Sequence, residues 1–98
     1  MDGKYGLGPT PGSVMRALAD RHKQLRKDKG YSQAEMAKRS GVSLGSLKRF
    51  EQSGQISLIN LIRLMNLLGR LDDFRTVMER KFDPKEAAKL FTSSTGEG

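Results

Sequence analysis

The sequence predicts an all-α fold, and three observations carry that expectation. Apolar residues recur at spacings of three and four, as one face of a helix requires. The apolar runs open on residues that cap helix N-termini and several close on glycine, pairing Ser13 with Gly30, Ser32 with Gly41 and Ser57 with Gly69; Ser43 and Asp72 open two more. No stretch has the alternation of a half-buried strand, and no segment repeats. The expected architecture is five helices in one domain, residues 13–80, after a glycine-rich flexible arm, 1–12, and before a C-terminal extension, 81–98.

The composition narrows the class. Ninety-eight residues suffice for one small domain with a modest core, and 36% hydrophobic with 30% charged residues suits a soluble globular chain. There is no cysteine, hence no disulfide framework, thiolate nucleophile or zinc finger. No apolar run reaches the ~20 residues of a membrane span, and no signal peptide opens the chain, so a cytoplasmic location is expected. One histidine, no glycine-rich phosphate loop and no paired acids argue against an enzyme, and no catalytic residue, cofactor or metal is expected. The net charge of +7 is uneven: residues 1–51 hold 11 Lys/Arg against 5 Asp/Glu, residues 52–98 hold 7 against 6. Such a field draws polyanions and raises encounter rates without conferring sequence preference.

The first helix is expected to be capped by Ser13 and to run to Asp28, with Val14, Leu18 and Leu25 inward, His22 on the same face as a packed or half-exposed structural residue, and a basic last turn suited to the helix dipole. In the arm before it, Lys4, Tyr5 and Leu7 are either disordered or dock on a partner subunit or DNA.

The stretch from Tyr31 to Glu51 writes two short helices back to back. Ser32 and Glu35 form a capping-box pair, Met36 and Ala37 lie on the buried side, and Gly41 stops the helix. Ser43 caps again, and Leu44, Leu47 and Phe50 follow at i, i+3, i+6. Helices joined by so short a turn cross steeply over the small Ala37, giving a helix-turn-helix.

With Arg26, Ser32-Gln33, Met36-Ala37, Gly41-Val42-Ser43, Leu47, Phe50-Glu51, Gly54 and the apolar run Leu58 to Leu68, the chain resembles the phage repressor and Cro-type helix-turn-helix, the XRE group, over residues 14–74. The resemblance implies a five-helix lambda-repressor-like domain, a sequence-specific regulator of transcription, double-stranded DNA as partner and the bacterial nucleoid as location. It also implies that Arg26 pairs with Glu51, fixing the angle between helices, and that Gln33 bonds a phosphate and braces the reading residue opposite. The outer face of the second motif helix, Ser43, Leu44, Gly45, Ser46, Lys48 and Arg49, would enter the major groove. Gln52, Ser53 and Gln55, in the loop after that helix, would lie near phosphates. Lys38 and Arg39 are expected to be solvated.

The chain departs from the phage pattern where glutamines often read adenine. Leu44 and Gly45 stand there; neither side chain hydrogen-bonds a base, though Leu44 suits a thymine methyl and Gly45 a close backbone approach. Arg49 is the best candidate for guanine, Ser46 for a base or phosphate, and Lys48 for a phosphate. With direct readout this thin, DNA shape carries more of the recognition, or the reading lies elsewhere. A protein-interaction module without DNA binding is the alternative of another class.

The fourth helix, Leu58 to Leu68, holds more apolar surface than its core role needs. Leu61, Leu64, Met65 and Leu68 form the core stripe, while Leu58, Ile59, Ile62 and Leu67 spread outside it as a candidate homodimer interface. Asp72 should cap a fifth helix carrying Phe74, Val77 and Met78, and Asp83-Pro84 should start a short helix through Phe91. More loosely, the run Ser46 to Leu58 with Leu71 to Phe74 is similar to HipB-type antitoxins accompanying HipA-type kinases, which would add a toxin partner.

Overall fold

The computed structural model describes residues 8–81, and four α-helices make up the body of that region. The first, α1, is Pro11–Asp28. Its cap is Thr10, not Ser13. The Ser13 amide donates to Thr10 Oγ1 at 3.0 Å and the Thr10 amide to Ser13 Oγ at 2.9 Å, so Ser13 returns the bond as a capping-box glutamate would. Pro11, which lacks an amide hydrogen that the first turn could not use anyway, begins the helix, and the cap lies three residues before the expected one.

The buried face of α1 also differs from expectation. Val14 and Leu18 are exposed, whereas Leu25 packs half-buried on the core and His22 is buried as expected; Ala19 and Arg26 turn inward beside them. Hydrophobicity alone favoured the leucines. The helix instead docks through a small residue that permits close approach to the helices beneath, and through two side chains that answer a buried carboxylate.

Ser32 caps α2, Gln33–Ser40, accepting from the Glu35 amide at 3.0 Å. The return bond is missing, because the Glu35 carboxylate pairs with Arg39. That arginine also lies over the Tyr31 ring, 5.0 Å from its centroid, so it is not simply solvated. Gly41 ends the helix in the left-handed region. Ser43 then caps α3, Leu44–Ser53, which runs two residues beyond the expected end and takes Gln52 and Ser53 out of the loop. Ser57 caps α4, Leu58–Leu67.

α1 packs on α3, and α2 on both α3 and α4. The core between them is Ala19, Met36, Val42, Leu47, Phe50, Leu61, Leu64, Met65 and Leu68. Full burial of side chains such as Phe50, Leu47 and Leu64 stabilises by about 1.5–3 kcal/mol each. Leu67 packs against this core from its edge and Ile62 is half-buried, whereas Leu58 and Ile59 are 69% and 56% exposed.

The expected fifth helix is only a single 3-10 turn, Leu71–Phe74, among the described residues. Asp72 does not cap it: Arg70 precedes the turn and makes no side-chain cap bond. Phe74 packs on the core, but Val77 and Met78 are exposed and Met78 has a positive φ of 64°, which breaks the helical path. The expected helix starting at Asp83, and Lys4, Tyr5 and Leu7 of the arm, lie outside the described residues.

Candidate nucleic-acid interface

The site is built on α3, which has two unlike faces. Leu47, Phe50 and Glu51 are buried; Ser43, Leu44, Gly45, Lys48 and Arg49 are exposed, and Ser46 is half-buried. The outer turn therefore projects from a helix anchored along its opposite side. The steric and electrostatic fixing of that anchor is concentrated at Glu51.

Arg26 reaches Glu51 with both ends of its guanidinium fork, Nε to Oε2 at 2.9 Å and Nη2 to Oε1 at 2.9 Å, as the arginine–glutamate pairing expected. Its Nη1 donates to the Tyr31 carbonyl at 2.8 Å, tying the start of the motif to α1. Two further donors were not foreseen. His22 Nδ1 donates to Glu51 Oε2 at 2.8 Å, and its ring meets Phe50 edge-on at 5.4 Å. Gln33 donates from Nε2 to Glu51 Oε1 at 3.0 Å, so one of its two amide hydrogens braces the carboxylate closing the second motif helix. The signal for His22 was its place four residues before Arg26 on one face of α1.

Burial alone would favour neutral Glu51, but hydrogen bonds from Arg26, Gln33 and His22 outweigh it, and the carboxyl titrates below its ordinary 4.5. Burial dominates for His22 and holds it below 6.5, although Glu51 pulls the other way. Among the described residues no acceptor meets the buried His22 Nε2, so a second ring proton would go unpartnered there.

At the leading end of α3, Ser43 Oγ accepts from the Ser46 amide at 3.1 Å while its hydroxyl donates to Ser46 Oγ at 2.9 Å. The Ser46 hydroxyl hydrogen remains for an outside acceptor. A β-carbon at Gly45 would meet nothing within 4 Å, so neither sterics nor backbone demands glycine there. At the trailing end, Arg49 donates from Nε and Nη2 to Gln55 Oε1, at 3.0 and 2.6 Å. Arg16 of α1 donates to the Gln52 carbonyl at 2.7 Å, placing a cation on the negative end of α3. Ser46, Arg49, Gln55, Ile56, Ser57 and Asn60 line an open depression of about 290 Å³ between α3 and the start of α4.

Residues 23–74, which hold both motif helices and every residue of this arrangement except Arg16 and His22, match the helix-turn-helix family model, 52 of the 98 residues. The chain belongs to the XRE-type helix-turn-helix family. Membership indicates a DNA-binding transcription regulator whose ligand is double-stranded DNA. No curated protein and no solved structure matches the chain significantly. Within the helix-turn-helix, α2 is the first motif helix and α3 the second, joined by Gly41, Val42 and Ser43. No described helix is long and apolar enough to cross a membrane.

Proposed function

We propose that the protein is a sequence-specific regulator that inserts the outer face of α3 into the major groove and, as a dimer on a palindromic operator, represses its own promoter. The observation carrying this reading is the contrast across α3: buried Leu47, Phe50 and Glu51 hold the helix, while Ser43 to Gly45, Lys48 and Arg49 stand exposed on the other side. A helix held so firmly presents its side chains with little orientational freedom to lose on docking. Lys48 and Arg49 supply charge for phosphates and an N–H fork for guanine; Leu44 suits a thymine methyl. Gln52 and Ser53, now at the end of α3, flank the same face.

Dimerisation is supported by Leu58 and Ile59, which are exposed side by side at the start of α4 and find no cover among the described residues. A second copy related by a two-fold axis would cover them and set two α3 helices against two half-sites. A second reading, in which a protein such as a kinase-like toxin also binds, draws on exposed Leu71, Val77 and Met78, an apolar surface separate from Leu58 and Ile59 in the chain.

Selection from random duplexes with the full chain, followed by titrations at rising salt, tests the central reading. An enriched palindrome is expected, with log affinity falling steeply and linearly against log salt; six to ten phosphate contacts would cost about 10³–10⁵-fold between 50 and 200 mM. A flat salt response with no enriched motif would leave the fold as a protein-interaction module.

A further inference from the structure

Arg49 and Gln55 are both exposed, and long exposed side chains ordinarily sample many rotamers. Here they are joined three ways. Gln55 Oε1 accepts from Arg49 Nε and Nη2 at 3.0 and 2.6 Å. Ser53 Oγ donates to the Arg49 carbonyl at 2.7 Å, and accepts from the Gln55 amide at 3.2 Å. The turn between them is held in turn by Gly54, whose φ is +83° and whose missing β-carbon would lie 2.9 Å from Met15 Cβ of α1. Only glycine fits that backbone and that gap, so the position of Gln55 is dictated by the packing of α3 on α1.

We infer that Gln55 is a specificity-setting residue that positions Arg49 to read guanine through its terminal Nη1/Nη2 edge. The argument rests on the DNA-binding reading above and on the chemistry of the guanidinium. That group has two edges with paired N–H donors: one formed by Nε and one Nη, the other by the two terminal nitrogens. Gln55 occupies the first. The second carries two parallel donors at the spacing of guanine O6 and N7, the acceptor pair that marks a G·C pair in the major groove. Gln55 thus removes one of the two ways Arg49 could engage a base and freezes the other. Its oxygen also partly compensates the cation, so Arg49 gives up water for the base edge at lower cost. Gln55 is a positioning residue: it acts on the base through Arg49.

The test compares motifs selected from random duplexes by the wild type, Gln55→Met, Gln55→Glu, Arg49→Ala and the Gln55→Met/Arg49→Ala double variant, each full length and checked for an unchanged thermal midpoint. The wild type should enrich a guanine at one position per half-site. Gln55→Met, of similar length but without an acceptor, should relax that preference by about tenfold, a larger loss than any it causes on random duplex. Gln55→Glu should keep the preference, because the acceptor is retained, while lowering overall affinity by charge repulsion from phosphates. The double variant should discriminate no less than Arg49→Ala alone, since both act through one contact. A motif whose guanine survives Gln55→Met overturns the clamp and leaves DNA binding standing. Failure of the wild type to enrich any motif removes the DNA reading and the clamp with it.

Discussion

Glu51 is the residue on which the geometry of the helix-turn-helix turns. Three side chains from two other helices donate to one carboxylate, and each donor fixes a different part of the motif: Arg26 and His22 tie α3 to α1, Gln33 ties it to α2. The net worth of such a buried cluster is small compared with the cost of breaking it, because removal of one partner strands the other. Arg26→Ala should therefore destabilise by about 3–5 kcal/mol in chemical denaturation, and a paired Arg26→Met/Glu51→Met replacement by clearly less than the sum of the single changes. The same cluster makes stability depend on pH. His22 is held below 6.5 when folded, so the unfolded chain takes up the proton first; its contribution is complete above 6.5 and declines as pH falls toward the folded value. Glu51, held below 4.5, adds a second decline beneath that pH. Urea midpoints measured from pH 7.5 to 4 should fall across the first window in the wild type, and that segment should flatten in His22→Met.

The elements were legible from the sequence where caps and stops were strong. Ser32, Ser43 and Ser57 cap as their spacing indicates, Gly41 closes α2, and the core stripe of Leu61, Leu64, Met65 and Leu68 is buried. On α1, His22 and Leu25 face inward as their spacing indicates, but Ala19 and Arg26 take the places expected of Val14 and Leu18, because a small residue permits close approach there and an arginine answers the buried Glu51 carboxylate. The expected fifth helix is reduced to the 3-10 turn Leu71–Phe74, and Met78 beyond it takes a positive φ, neither of which local periodicity announces. The Arg26–Glu51 pair came from family resemblance, while His22, the turn of Gln33 and the grip of Gln55 on Arg49 depend on tertiary placement. Gly45 carries its own prediction at this scale. Glycine in a helix costs stability, and the fold does not need it there. Gly45→Ala should raise stability by roughly 0.5–1 kcal/mol in thermal denaturation yet weaken binding to the selected duplex. Unchanged or tighter binding would show that the backbone at Gly45 does not approach DNA.

For the whole molecule, charge and apolar surface divide the work. The basic excess accompanies the first half of the chain, with the helix-turn-helix, and the exposed Leu58 and Ile59 lie on α4. Ile59→Glu is the cleaner probe of self-association, since Ile62 is half-buried and its loss would also disturb packing. Sedimentation should show the wild type as a dimer at micromolar concentration and a folded Ile59→Glu as a monomer with reduced affinity for the full palindrome; an unchanged profile would remove this face of α4 from the interface. The most direct test of the account is a titration of the labelled full chain with the selected duplex, followed by backbone amide chemical shifts. The largest shifts should fall on Ser43 to Arg49 and on Gln55, with the core amides of α4 little changed. Shifts confined to Leu58–Ile62 or to the turn after Leu71, with α3 silent, would contradict it.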